Sequence, residues 1–381
     1  RRILCWGPGT PPSVVEAFRR LETAAGLTEG GRAAHTAATQ YDLDRHWDVT
    51  ATDGPGNEQQ GLPVTVTWSL PEDGTLVPWI IEDEDNPKTA SDFRNWLSGL
   101  IGGDPDGDPR LQPWFRTLEQ AFDLMEERSG IDFVYEPADD GVEFDLGNPG
   151  ILGTRGDIRL GGRFVDGNSG ILAYVADFPD YSDIVFDTAD NFYDEVTTKP
   201  EKLVQVLAHE IGHAVGLYHV CPINETKLME PFYSDAFFGP QFDDNYTLSR
   251  LYGDPQERTA SARNNDTPAD ASNLTLKTSL GSIDWLSVDD DGDVDYYKFS
   301  SPAGRKVSFQ VAPPTLLGGG YLEGPQVGNC DTGNPFNPTL QLNLQLELLD
   351  TDGVTVLTTA IPRPLGQPKQ IIDYEITTPV D

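Results

Sequence analysis

Apolar positions along this chain fall into two periods. In PVTVTWSL (63–70), Val64, Val66 and Trp68 alternate with threonines, the period of two expected of a strand with one buried face. In PWFRTLEQAFDLMEERSG (113–130), Phe115, Leu118, Phe122 and Met125 recur at helical spacing, and Gly130 suits the helix end. IDFVYE reads as a strand. So do DIRLGGRFV, GILAYVAD and SDIVFDT, which lie between 157 and 188 and are separated by turn residues. SVVEAFRRLETAAG near the start and SDFRNWLSGLIG further on have the character of short helices. A longer helix opens at TKPEK, where Thr198 is placed to cap, Pro200 sits in the first turn and Glu201 completes a capping box. Its stripe of Val204, Leu207, Ala208, Ile211 and Val215 anchors it in a core. Past Gly253 a polar linker begins and only strand patterns follow: KVSFQVA alternates, as do Leu340, Leu342, Leu344, Leu346 and Leu348 before the turn DTDG. The pattern predicts a leader or pro-segment over 1–62, an α+β unit over 63–253, and a linker with an all-β sandwich over 254–381.

Composition narrows the partners. The chain has 381 residues, 62 acidic against 26 basic, and a formal charge of -36, which argues against nucleic acid and anionic membrane surfaces. No apolar run approaches the roughly 18 residues of a membrane span, so no membrane insertion is expected. The first residue is arginine, with no signal-like apolar core behind it, as in a processed chain. Three cysteines, Cys5, Cys221 and Cys330, make no disulfide framework and no thiolate zinc spacing; one disulfide with one free thiol leaves the pairing open. An acidic, Asp-Gly-rich, cysteine-poor chain points to secretion from a bacterium.

The chemistry concentrates at HEIGHAVGLYH (209–219), which holds three of the five histidines. Four residues apart on a helix, His209 and His213 leave the same face about 6 Å apart along the axis, a separation one metal ion bridges. Glu210 lies about 100° around the helix, within reach of a water on that metal without ligating it. Gly216 lets the chain leave the helix through a conformation costly to other residues, so that His219 returns as a third ligand. Three neutral imidazoles and one water make a catalytic zinc site with an open position. The full eleven-residue spacing is far more specific than HExxH alone.

With that motif the sequence resembles the metzincins, and among them the matrixins. Ten residues past His219, LMEPFY is similar to the family's Met-turn: Met229 would lie beneath the metal, and Tyr233 matches a tyrosine that matrixins carry there. DDNYTLSRLYG is similar to their closing helix. The resemblance covers about 63–253 and implies a metzincin catalytic domain: a twisted mixed sheet with a long active-site helix and a C-terminal helix. It implies a zinc-dependent endopeptidase acting on polypeptides, in which Glu210 takes the proton of a zinc-activated water and returns it to the leaving amine. Tyr233 is a candidate oxyanion stabiliser, with a purely cleft-shaping role as the other reading. EPFYSDAFFGP would wall the pocket that receives the residue after the scissile bond.

The chain also departs from the family. Tyr174 and Val185 stand where two histidines of a second, structural zinc would be, and His35 and His46 lie in the leader, so one zinc is expected. The family's calcium ligands fall on Asp166, Gly167, Ser169, Ile171, Asp187 and Asp190, so a structural calcium is expected there. Cys5 in ILCWGPG has a faint similarity to the propeptide cysteine that blocks matrixin zinc; without the flanking residues of that switch it reads as an ordinary thiol or disulfide partner. The stretch from NDTPADASNL to DVDYYKFSSPAG resembles the bacterial pre-peptidase C-terminal domain, which implies a β-sandwich and an extracellular matrix or cell-surface polymer as partner. DDDGDVD (289–295) lacks an EF-hand's register and reads as a solvated acidic turn. The competing functional reading is a catalytically silent or latent protease-fold protein serving as an extracellular structural or binding component.

Overall fold

The computed structural model describes residues 2–24, 46–55, 59–78, 87–145, 148–176, 182–259, 263–274, 281–289, 292–314, 320–325, 330–340, 343–361 and 363–377. In chain order the first part holds β1 (Arg2–Trp6), α1 (Pro12–Ala24), β2 (Val64–Ser69), the short β3 (Leu76–Val77) and β4 (Thr89–Ala90), α2 (Phe93–Ile101), α3 (Phe115–Glu126) and β5 (Ile131–Tyr135). Then follow β6 (Ile158–Arg163), β7 (Ile171–Ala176), β8 (Asp183–Asp187), α4 (Glu201–Ala214), β9 (Val220–Cys221), α5 (Phe242–Tyr252) and α6 (Pro255–Thr259). The rest carries short strands: β10 (Ser272–Asn273), β11 (Tyr297–Lys298), β12 (Lys306–Val311), β13 (Tyr321–Pro325), β14 (Asn334–Phe336), β15 (Glu347–Leu349), β16 (Val356–Thr359) and β17 (Lys369–Glu375).

Six strands form one sheet in the order β1-β7-β8-β6-β2-β5, parallel from β8 to β5 and antiparallel at β7 and β1. The alternation of β2 works as expected: Val64, Val66 and Trp68 are buried, and the Trp68 ring stacks on Phe122 at 4.4 Å between centroids. α3 and α4 bury their stripes in that same core, with Leu118, Met125, Leu207 and Ile211 fully buried. A second cluster contains Leu4, Trp6, Val15, Tyr174 and Val185, with Phe18 of α1 packed against it. Tyr174 and Val185 face each other across β7 and β8, both fully buried, and the Tyr174 hydroxyl donates to the Pro78 carbonyl. The mixture of helices and a mixed sheet is an α+β architecture. No helix among the described residues is long and apolar enough to cross a membrane.

The structure corrects three local expectations. α4 begins at Glu201 behind Pro200 with no side-chain cap, because Thr198 Oγ1 turns back to the Glu195 carbonyl at 3.0 Å and no capping box forms. Gly130 does not end α3, which stops at Glu126; its N–H donates to the Gly253 carbonyl at 2.8 Å, and a Cβ there would run into the Tyr252 carbonyl. The leucines from 340 to 348 do not make one strand. Leu340 lies in a 3-10 turn and is half exposed, Leu342 lies outside the described residues, and only Glu347–Leu349 pairs, with β16, across the turn at 350–353. Alternation describes a strand's two faces but supplies no partner, and a strand forms only where a neighbour takes its ladder.

Two early stretches enter the sheet's unit. β1 extends the sheet, and Trp47 is buried with its indole N–H on the Ala214 carbonyl at 2.9 Å. At the other end β13 pairs with both β14 and β9, and Cys221 is disulfide-bonded to Cys330, leaving Cys5 as the free cysteine.

Behind that junction lies a buried polar network. Tyr321 donates to Asp243 at 2.7 Å, while Asp244 and Lys227 act on both Asp243 and Glu323. Burial and the neighbouring Asp244 charge push the Asp243 carboxyl up to about 7, and burial and Asp243 raise Glu323. Folded-state values above the unfolded ones mean that this network's stability is fully present below about pH 4 and lost as pH rises through the raised values. Glu323→Gln, which keeps shape without charge, is therefore expected to flatten the fall in unfolding free energy between about pH 5 and pH 8, by on the order of 1–2 kcal/mol at the alkaline end, as read by thermal unfolding at each pH. A variant with the parent's pH slope would place the titration elsewhere.

Candidate metal centre and cleft

The three motif histidines meet. Their Nε2 atoms lie 3.0, 3.1 and 3.2 Å apart, and all three side chains are buried. A tetrahedron with zinc–nitrogen bonds of about 2.0–2.1 Å has edges of about 3.3–3.4 Å, so these nitrogens stand almost where three zinc ligands would. His209 Nδ1 is 2.7 Å from the Leu228 carbonyl and His213 Nδ1 is 2.8 Å from the Leu217 carbonyl. A carbonyl only accepts, so both Nδ1 atoms carry the proton and both Nε2 lone pairs point into the centre. Converging lone pairs repel unless a cation lies between them. Burial also lowers His209 to about 4, keeping it neutral.

Local sequence explains the placement. His209 and His213 leave one face of α4. The helix then ends with the Leu217 N–H on the Gly212 carbonyl at 2.9 Å and the Gly216 N–H on the His213 carbonyl at 3.0 Å, a pair of bonds that needs a left-handed residue. Gly216 supplies it with φ 111°, and the reversal brings His219 back. Met229 is buried under the helix: a Cβ on Gly212 would come within 2.5 Å of its sulfur. Asp244 of α5 holds the turn by accepting the N–H groups of Leu228 at 2.9 Å and Met229 at 3.1 Å. The pattern of DDNYTLSRLYG marked a helix, but not this carboxylate, whose partners lie 15 and 16 residues earlier.

Glu210 is fully buried, neither carboxylate oxygen has a hydrogen-bond partner, and burial raises its carboxyl well above the ordinary range. An unpartnered buried carboxylate is expensive to maintain in a structural role. Beside it stands Cys5: its sulfur, a His209 nitrogen and a Glu210 oxygen all lie within 4.8 Å of one another. The cysteine read as an ordinary thiol or disulfide partner is thus a free, buried side chain at the metal centre.

β1 carries Cys5 there. It runs antiparallel to β7, pairing Leu4 with Tyr174 and Cys5 with Ala173, and it also meets the segment past Met229 on its other side. The Trp6 N–H donates to the Pro231 carbonyl at 3.1 Å, the Tyr233 N–H to the Trp6 carbonyl at 3.0 Å, and the Gly7 N–H to the Gly170 carbonyl at 2.8 Å. Leu4 and Trp6 face the second core cluster and Cys5 faces α4. A pocket beside Cys5 is lined by Val206, His209, Leu228, Tyr233 and Phe237. Gln205 braces its wall, accepting the Gly239 N–H at 3.2 Å and donating to the Ser234 carbonyl. Phe232, Tyr233, Ser234 and Phe237 of EPFYSDAFFGP belong to this pocket's lining. The Tyr233 ring packs edge-on against Phe192 at 4.8 Å, and burial pushes its hydroxyl up to about 12.

The expected calcium residues gather where the loop before β7 meets the end of β8 and the turn after it. Asp187 is fully buried and accepts four N–H groups, from Val165, Asp166, Gly167 and Ala189, at 2.6–3.2 Å. Asp166 accepts the Ile171 N–H at 3.0 Å, and burial with the charges of Asp187 and Asp190 pushes it up to about 7. One Asp190 oxygen accepts the Phe192 N–H and the other is buried and unpartnered. Gly167 and Ser169 both take positive φ, turning the loop around these carboxyls.

Comparison with known proteins agrees with this geometry. Residues 111–253 match the model of the matrixin peptidase family. Stromelysin-3 of Rattus norvegicus is 41% identical over 98 residues, covering 24% of this chain and 18% of the relative. The hatching enzyme of Paracentrotus lividus is 32% identical over 142 residues, 36% of this chain and 22% of the relative. Karilysin of Tannerella forsythia is 31% identical over 148 residues, 36% of this chain and 28% of the relative. The chain therefore spans well under a third of the length of these curated relatives. With its histidine cluster and Met-turn, this part of the chain is a matrixin-like metzincin domain, the fold of zinc metalloendopeptidases.

Proposed function

We propose that the protein is a secreted, zinc-dependent endopeptidase whose metal is held by His209, His213 and His219 and whose general base is Glu210. The observation that carries this reading is the triad of Nε2 atoms, mutually 3.0–3.2 Å apart, beside an unpartnered buried carboxylate. Zinc in that triad would supply a Lewis acid and lower the pKa of a water molecule. Glu210 takes a proton from the attacking water and passes it to the leaving amine. Tyr233 steadies the developing oxyanion, and an extended polypeptide adds to the edge of β7 as a further strand. A silent scaffold has no use for a base beside its ligands.

The hydrogen bonds of β1 support a latent state, because they occupy the backbone groups that an extended substrate would need. Residues 1–62 then act as a pro-segment to a catalytic unit over 63–253. Asp166, Asp187 and Asp190, with the Gly167, Ser169 and Ile171 backbone, hold a structural calcium. Residues 254–381 form a linker and an accessory β-sandwich of pre-peptidase C-terminal type that engages an extracellular or cell-surface polymer; the β12/β17 and β15/β16 pairs around Leu348, Ala360 and Ile371 support this. The Cys221–Cys330 bond fits an oxidising, extracellular setting.

The test is digestion of an unfolded protein substrate with zinc and calcium present, before and after a zinc-selective chelator, alongside metal analysis. Cleavage is expected to stop on chelation, return with zinc, and track one zinc per chain. Digestion indifferent to the chelator would remove this reading.

A further inference from the structure

A second group of metal-type ligands lies where the matrixin-like domain meets the C-terminal part. Carboxylate oxygens of Glu257, Asp266 and Asp293 all lie within 4.8 Å of one another. The surroundings are built. Asp254 is fully buried, accepting the N–H groups of Gln256 and Glu257 at 2.6 and 3.1 Å with one oxygen and that of Ser287 at 3.0 Å with the other. Glu257 accepts the Asp254 N–H, and the Asp289 N–H donates to Asp293 at 2.9 Å. Asp289 is buried against Gly61, where a Cβ would collide with its carboxylate. Asp289, the first residue of the run expected as a solvated acidic turn, is therefore folded onto the domain's end.

A separate observation marks the centre as a ligand site. Asn265 is fully buried, its backbone carbonyl accepts the Tyr296 N–H at 2.8 Å, and its side chain faces the Asp295 carboxyl and the Tyr297 hydroxyl. Yet neither amide atom completes a hydrogen bond, and one Asp295 oxygen and the Tyr297 hydroxyl are buried and unpartnered as well. A buried carboxamide with both ends unsatisfied is costly unless something absent from the protein's own atoms satisfies it. The neighbouring charges acting on Glu257 include Asp254, Asp295 and Asp293.

We propose that Glu257, Asp266 and Asp293, with Asp295 and the Asn265 side-chain oxygen, bind a calcium ion that fastens the C-terminal part to the matrixin-like domain. Every ligand is a hard oxygen, which excludes zinc and copper preferences. Calcium takes six to eight oxygens at about 2.3–2.6 Å in flexible geometry, so carboxylate oxygens gathered within 4.8 Å of one another can share one such ion. Magnesium wants a tighter octahedron and holds on to its waters.

The experiment uses the full chain with zinc present and calcium stripped, titrated calorimetrically with calcium chloride, then with magnesium chloride. The double variant Glu257→Gln with Asp293→Asn is expected to lose one binding event or weaken it at least tenfold. Asp187→Asn, at the end of β8, leaves that event intact. In the unmodified chain, calcium is expected to slow amide exchange in 254–259 and 287–289, a readout that holds even if the double variant fails to fold. The double variant titrating like the parent, exchange in these segments indifferent to calcium, or magnesium binding as tightly as calcium would each overturn the proposal.

Discussion

Glu210→Gln is expected to lower kcat/KM on peptide substrates by about 10²- to 10⁴-fold, the usual contribution of a positioned general base. Glutamine keeps the shape of the side chain and cannot take a proton. The residue contacts no partner that would hold the fold together, since neither carboxylate oxygen is hydrogen-bonded. The three imidazoles are fixed by other groups, His209 by the Leu228 carbonyl and His213 by the Leu217 carbonyl, so zinc content and melting temperature should stay at the parent's level. Removing a buried, unpartnered charge should if anything raise stability. Loss of activity with loss of zinc would mean that Glu210 supports the ligands; retained activity would mean that another group moves the proton.

The second large effect concerns β1. Trp6→Pro removes the N–H that reaches the Pro231 carbonyl and deletes an indole that is buried and packed edge-on against Phe18 at 5.5 Å. A hydrogen bond is worth about 0.5–1.5 kcal/mol net and a buried large side chain about 1.5–3 kcal/mol, so the docked strand should weaken by about 2–4 kcal/mol. If docking closes the cleft, that loss raises turnover of a short peptide at least tenfold, until the open form dominates. Faster amide exchange along Ala173–Ala176 would report the freed edge directly. Should exchange speed up while turnover stays at the parent's level, the strand covers the cleft without gating it.

What could be read from the sequence, and what could not, divides along the range of the interactions. The histidine motif is local: helix geometry fixes His209 against His213, and one glycine with a left-handed backbone returns His219, so eleven residues specify the centre. α3 and β2 were legible for the same reason, their faces being written in period. The place of β1 was not, because RILCW has no feature naming β7 as its partner 165 or more residues away; pairing is decided by which edge is free. Thr198 shows a different limit, since its hydroxyl had two acceptable local partners and took the preceding turn. Asp289 to Asp295 looked solvated because acidic runs usually are. Only the approach of Gly61 from elsewhere in the chain makes Asp289 interior, and no pattern within seven residues carries that information.

The bond between Cys221 and Cys330 closes a covalent ring of chain that contains Met229, all of α5 and the polar linker. A cut at a single point inside that ring parts the backbone but separates nothing. On the proposed activity, the exposed stretch 266–269 of the linker is a target near to hand, and the ring makes such self-inflicted damage survivable. The halves stay tethered beside the metal, and shedding the C-terminal part through a cut in the linker requires an electron donor as well as a blade.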